Sequence, residues 1–341
     1  MDHPLAPRLA AYVAGKMPTA TDVSVADVER ISGGASRETY RFKLHWREGG
    51  QAKTRKLILR RDPPASLIDT ERKVEFAAYD AFAGSAVPVP QMLWLEEGSD
   101  ALGHPFFIAE ELVGYQAAPA MLFAGGYDAV LPRVAERKWT ILGEIARTDP
   151  AALGLTEVMP PPALDACWRR ELDHWEAVFD KDEAEPQPIA RAAIRWLRAH
   201  PPPPAQKLSV VHGDYRTGNF LFDEAGDIKG VLDWEMAHLG DPLEDLAWGF
   251  NPIWRFGRGL AGGLVEKAEA IAIWERASGL RAQPEALHWW ELFNCVKGQG
   301  IWVGSARAFI DGGNREPIMV YPAWWLLNAQ DRAILEVMGK L

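Results

Sequence analysis

Within the stretch VVHGDYRTGNFLFDEAGDIKGVLDWE, Val210 to Glu235, three oxygen-bearing side chains follow one another at Asp214, Asn219 and Asp233. A carboxylate in hydrogen-bond reach of a hydroxyl serves as a general base. Carboxylate and amide oxygens are hard ligands that suit a divalent cation beside a phosphate. On residue type, Asp214 suits the base, and Asn219 and Asp233 suit magnesium. Each residue alone is also ordinary turn chemistry, since Asp and Asn bond their own backbone. Their placement adds to the argument. LSVVHGD reads as an apolar strand running into a polar loop, and NFLFDEAGDIKGVLDWE as a strand, a turn at Asp223 to Asp227, and a second strand. All three polar residues then fall at strand ends, where they can converge.

The elements around this stretch divide in two. Residues 5–17 read as a short helix, followed by an extended segment, and ISGGASRETYRFKLHW as strand, glycine turn and strand. A second turn at Glu48 to Gln51 leads into a strand with Leu57, Ile58 and Leu59. SLIDTERKVEFAAYDAFAG carries helical spacing with Gly84 as C-cap, and VPVPQMLWLEE and HPFFIAEELVG complete a small antiparallel sheet. After Gly114 helical patterns dominate: 127–148, 164–179, 189–200, 264–278, 285–310 and 323–338. The proline runs MPPPALD and AHPPPPA punctuate helices without marking a domain boundary. The expected domains are 1–113 and 114–341.

HGDYRTGN followed by GVLDWEMAHLGDPLEDLAW resembles the catalytic and metal loops of the aminoglycoside phosphotransferase-like kinases, relatives of protein kinases. LRRDPP adds a likeness to the subset that includes kinase-like domains fused to acyl-CoA dehydrogenases. The resemblance implies an α+β, bilobal, protein-kinase-like fold, with a small antiparallel-sheet N-lobe carrying one helix and a larger, mainly helical C-lobe. It implies an ATP- and magnesium-dependent transfer of the γ-phosphate to a small-molecule hydroxyl. Asp214 takes the role of catalytic base, and Asn219 and Asp233 those of metal ligands. His212 orients the loop, Asp245 supports it, and Tyr215 and Arg216 either meet substrate or phosphate or pack the loop. Asp241 and Pro242 form a turn that starts a helix.

The resemblance assigns the nucleotide to residues 1–113 and the acceptor to residues 114–341. Gly33 and Gly34 would let backbone amides approach phosphate oxygens without a Cβ clash, with Ser36 adding a hydroxyl. Strand alternation puts Arg60 with Ile58 on one face, where the family usually has a Lys that holds the α- and β-phosphates. Arg keeps the charge but not the geometry. Its partner is expected on the following helix at Glu75, with Glu71 one turn earlier on the same face. Backbone groups of Glu110, Glu111 and Leu112 would meet the adenine edge.

The chain has 341 residues, a formal net charge of -10, 48% hydrophobic and 25% charged residues. That balance disfavours nucleic acid and anionic membranes as partners. Cys167 and Cys295 lack metal or disulfide spacing and read as buried thiols. No apolar leader or spanning run stands out, so a cytoplasmic location is expected. Thirteen of the 15 Trp lie beyond residue 100. ALHWWELF, GQGIWVGSARAF and YPAWWLL are either acceptor walls or helix packing. Acids at Glu171, Asp173, Glu176 and Asp180 would suit a cationic antibiotic or form a solvated face, whereas the acyl-CoA dehydrogenase likeness implies a hydroxyacyl-type alcohol. The competing reading is a nucleotide-binding pseudokinase-like module without turnover, motivated by Arg60. The absence of HRD, DFG and APE motifs disfavours a protein kinase, and the absence of GxSxG a hydrolase.

Overall fold

Leu5, Leu9 and Val13 recur every fourth residue, so one face of α1 (Leu5–Lys16) is apolar and buried. In the computed structural model, which describes residues 3–31, 38–62, 72–313 and 317–341, that face meets one side of a five-stranded antiparallel sheet. The strands are β1 (Thr21–Ile31), β2 (Glu38–Glu48), β3 (Gln51–Arg61), β4 (Met92–Glu96) and β5 (Phe106–Glu110), in the order β1-β2-β3-β5-β4. Alternation selects Tyr40, Phe42 and Leu44 of β2, Leu57 and Leu59 of β3, and Phe106 and Ile108 of β5 to pack against α1. The other side of the sheet meets α2 (Arg72–Ala81), where Phe76 and Tyr79 lie edge-on to Phe107. Arg60 stands on that side too.

Edge strand β1 is interrupted by register shifts after Thr21 and Ala26, and Asp22 and Asp27 have left-handed backbones. Such irregularity blunts an edge against strand addition. Together Met1–Ala83 and Pro90–Val113 form one compact unit, and Gly84–Val89 and Gly114–Leu341 a second. The short 84–89 segment joins the second unit because the Val231 amide donates to the Pro88 carbonyl at 2.8 Å.

The second unit is mainly helical. It opens with β6 (Gln116–Ala117) and α3 (Ala120–Ala124), then α4 (Leu131–Arg147), α5 (Cys167–Asp182) and α6 (Pro188–Ala199). Four short strands follow, β7 (Ser209–Val211), β8 (Phe220–Phe222), β9 (Ile228–Val231) and β10 (His238–Gly240), and then α7 (Leu243–Trp248) and α8 (Lys267–Ser278). The chain ends in α9 (Pro284–Ile310), α10 (Pro317–Tyr321), a π turn at Pro322–Leu326, and α11 (Leu327–Val337). β6, β8 and β9 form one antiparallel sheet, and β7 pairs with β10.

At 27 residues, α9 is the spine of this unit, packed by α5, α6, α7 and α11. It is apolar nearly all round, as a helix surrounded by others must be. α4 packs on α8. Its C-terminal carbonyls, which no helix bond can satisfy, accept from Lys207 Nζ (2.7 and 2.9 Å) and Ser209 Oγ (2.9 Å). Those bonds fix where β7 begins, and β7 aims the following loop. No helix among the described residues is long and apolar enough to cross a membrane.

Candidate active site

β7 delivers the chain into the loop at His212, which is fully buried. Its Nδ1 accepts from the Asp214 amide at 3.1 Å, and its Nε2 lies 3.0 Å from the Leu232 carbonyl. One nitrogen accepts and the other donates, so the ring is the neutral Nε2–H tautomer. Burial pushes its pKa down, in agreement with that state.

From Leu232 the bonding continues. Its amide donates to the Asn219 carbonyl at 2.8 Å. The Asn219 Nδ2 in turn donates to the Asp214 backbone oxygen at 2.9 Å and to Asp214 Oδ2 at 2.6 Å. Asp214, His212, Leu232 and Asn219 therefore close a ring of hydrogen bonds. Asp233, the residue after Leu232, is half-buried, with φ 71° and ψ 53°. Left-handed backbone is uncommon outside glycine, although Asp and Asn tolerate it best. The expected catalytic and metal residues thus share one end of β8 and β9.

The Asp214 carboxylate is oriented from two further directions. Trp248 Nε1 donates to Oδ1 at 2.8 Å, and Arg216 Nε lies 3.3 Å from Oδ2. Arg216 also lies over the Trp254 ring, 4.9 Å from its centroid. Tyr215 turns away: it is buried, and its hydroxyl donates to the Lys138 carbonyl at 2.7 Å. Of the two loop residues left open by sequence, Arg216 stays beside the carboxylate and Tyr215 packs the loop. Trp248 was not anticipated. It sits 34 residues from Asp214, and only the end of DLAW marks it.

Asp245, on α7, accepts from the His212 amide at 2.6 Å and the Gly213 amide at 3.0 Å. Burial raises its pKa. Gly213 has φ 83°, and a Cβ there would strike the Met236 carbonyl, so a side chain is excluded at the residue before Asp214. Asp241 starts α7 as expected, with Oδ1 accepting from the Leu243 amide at 2.9 Å and Oδ2 from Trp290 Nε1 at 3.0 Å.

In the first unit, Arg60 and Glu75 form an ion pair of 2.8 Å with Glu75 wholly buried. Arg72 is a second cation on Glu75 and also pairs with Asp62. Gly33, Gly34, Ser36 and Glu71 lie outside the described residues. At the expected adenine edge, the sheet takes the amides of two of the three residues and leaves their carbonyls as the backbone groups to consider. The amides of Glu110 and Glu111 already donate to the Gln91 and Lys56 carbonyls, at 2.9 and 3.1 Å. Of these three residues, Leu112 is the one whose amide the sheet does not take.

Four of the five acids of α5 meet cations: Asp173 and Glu176 share Arg198, Asp180 meets Arg191, and Glu171 meets Arg170. Trp289 and Trp290 are buried in helix packing, donating to the Leu197 carbonyl and to Asp241. Both thiols are buried, which pushes the Cys167 pKa up to about 12.

Residues 27–280 match the model of the phosphotransferase enzyme family. Mouse acyl-CoA dehydrogenase family member 10 is 29% identical over 219 residues, covering 63% of this chain but 19% of that protein. The chain therefore spans about a fifth of that relative's length. A crystal structure described as a putative aminoglycoside phosphotransferase from Ralstonia eutropha superposes with a TM-score of 0.75 at 23% identity, covering 98% of both chains. A thermostable aminoglycoside phosphotransferase mutant, in ternary complex with AMP-PNP and hygromycin B, superposes with a TM-score of 0.60 at 20% identity, covering 98% and 99%. At such identities the structures establish the fold, which is the protein-kinase-like one.

Proposed function

Because the chain belongs to the phosphotransferase enzyme family, we propose that it moves the γ-phosphoryl group of ATP to a hydroxyl of a small molecule. The observation that supports this most is the ring of hydrogen bonds that sets Asp214 and Asn219 together and leaves Asp233 one residue beyond Leu232. In phosphoryl transfer the protein contributes mainly positioning and electrostatics. Asp214, held at both oxygens, accepts the proton of the attacking hydroxyl and aligns it.

The donor set fits magnesium. Asn219 spends its nitrogen on Asp214, which turns its Oδ1 the other way, and Asp233 adds a carboxylate, both hard oxygen donors. Magnesium bound there would neutralise charge on the phosphates. Arg60, fixed by Glu75, is assigned to the α- and β-phosphates, Gly33, Gly34 and Ser36 to phosphate contacts, and the backbone groups of Glu110, Glu111 and Leu112 to the adenine. An Arg whose ion pair is intact supports nucleotide handling better than it supports loss of turnover.

For the acceptor, the relatives named for acyl-CoA dehydrogenases favour a hydroxyacyl-type alcohol. Four of the α5 acids are already engaged by Arg170, Arg191 and Arg198, which makes them poorer partners for a polycationic antibiotic. The test is a screen of alcohols, from hydroxyacyl thioesters to aminoglycosides, reading ADP release with magnesium and ATP. Acceptor-dependent ADP formation is expected with the hydroxyacyl class. Tight ATP binding with no ADP from any acceptor would instead establish a nucleotide-binding module.

A further inference from the structure

A lysine in the middle of a buried helix is expensive unless its ammonium is fully compensated. Lys297 sits at such a position on α9, 1% exposed, with Asn294 through Gly300 buried around it. Its Nζ donates to the Gly213 carbonyl at 2.6 Å and to Glu244 Oε1 at 2.9 Å. It also lies 5.1 Å from the ring centroid of Trp248, the side chain that donates to Asp214.

One stripe of α9 makes these contacts. Trp290 donates to Asp241, Asn294 Nδ2 to the Glu244 carbonyl at 2.8 Å, and Lys297 to Glu244 and Gly213. Positions 290, 294 and 297 share a helix face. Glu244 then passes the network on: its Oε2 lies 3.1 Å from His238 Nε2, which is 3.6 Å from Glu171. His238 Nδ1 faces the Met236 carbonyl at 3.0 Å, so both ring nitrogens meet acceptors and the ring is an imidazolium. Glu171, His238 and Glu244 have the mutual spacing of a cation site. Lys297 already neutralises Glu244, however, and Arg170 neutralises Glu171 at 3.0 Å. The cluster is an internal ion network, with Lys297 as its outlet toward the loop.

We propose that Lys297 is a positioning residue for Asp214: anchored by Glu244, it clamps the Gly213 carbonyl while Asp245 clamps the amides of His212 and Gly213. It acts through the peptide before Asp214 and through the Trp248 ring, and touches no reacting atom. The role rests on the phosphoryl-transfer reading above.

The experiment compares the full chain with Lys297→Met and with Ile194→Ala, a buried truncation on α6 that lowers stability away from the loop. In Lys297→Met, kcat for ADP formation should fall about 10- to 100-fold, with KM for ATP unchanged, and amide exchange in a peptide spanning residues 209–219 should accelerate. Ile194→Ala should lose activity only in proportion to its unfolded fraction and leave that peptide protected. Lys297→Met behaving like Ile194→Ala in both readouts would overturn the proposal. If the wild type turns over no ATP, the functional reading fails by itself. Exchange at 209–219 then decides the positioning role alone: acceleration in Lys297→Met upholds it, and unchanged protection overturns it.

Discussion

At the scale of single residues, the proposed roles separate a base from a charge-bearing ligand, and two substitutions read them apart. Asp214→Asn keeps the side-chain shape but removes the proton acceptor, so kcat should drop about 10²- to 10⁴-fold while ATP affinity, measured calorimetrically, stays as in the wild type. Asn tolerates the left-handed backbone that Asp233 adopts, so Asp233→Asn removes charge without straining the chain. Its nucleotide affinity should fall more than about 10-fold at limiting magnesium, and an unchanged affinity would remove Asp233 from the metal set. Asp214, Asn219 and Asp233 were legible in the sequence because each sits where a short apolar strand ends, and strand ends are marked locally. Trp248 and Lys297 were not. Their partners, Asp214 and Gly213, lie 34 and 84 residues away, and a Trp or Lys on a helix has no local mark that separates packing from function.

At the scale of elements, α7 is six residues long, yet it carries the heaviest duty. It supplies Asp245 to two backbone amides, Glu244 to Lys297, and Trp248 to Asp214. Asp245→Ala would leave the His212 and Gly213 amides buried without acceptors, each costing about 1–3 kcal/mol. A lower midpoint in urea unfolding and a reduced kcat should appear together; full stability would show that water replaces the carboxylate. Amphipathic helices such as α4 and α6 were legible from periodicity, and α9, apolar nearly all round, from its length and helix-forming composition; the structure starts several helices a few residues inside the expected span, as with α4 at Leu131 rather than 127. β10 was missed because HLG carries no strand signal of its own. Its three residues are extended by pairing with β7, a tertiary cause that no local pattern records. Which backbone groups of Glu110 to Leu112 stay free at the expected adenine edge has the same kind of cause, since neighbouring strands decide which amides are taken.

At the scale of the whole molecule, the second unit holds one buried and one partly buried base whose titrations oppose each other. Lys138 on α4 is wholly buried, 3.5 Å from the Trp139 ring centroid, with no hydrogen-bond partner for its Nζ among the described residues. Burial pushes its pKa down to about 7 from an ordinary value near 10.5. Across that interval the unfolded chain binds the extra proton, so this group makes stability rise with pH. His238 is the reverse. Although burial opposes it, the carboxylates of Glu171 and Glu244 hold its pKa up at about 9, so the folded chain keeps the proton above about pH 6.5. Its contribution is complete below that point and is lost as pH climbs toward 9. Between pH 7 and 8, below the range where the thiols of Cys167 and Cys295 ionise in the unfolded chain, the two slopes offset, and wild-type stability should be nearly flat. Lys138→Met should then unmask a fall in stability with pH, and His238→Gln a rise. Thirteen of the 15 Trp lie beyond residue 100, so unfolding followed by Trp fluorescence reads this unit directly. Parallel curves for both variants and the wild type would mean that neither base carries the shift its surroundings imply.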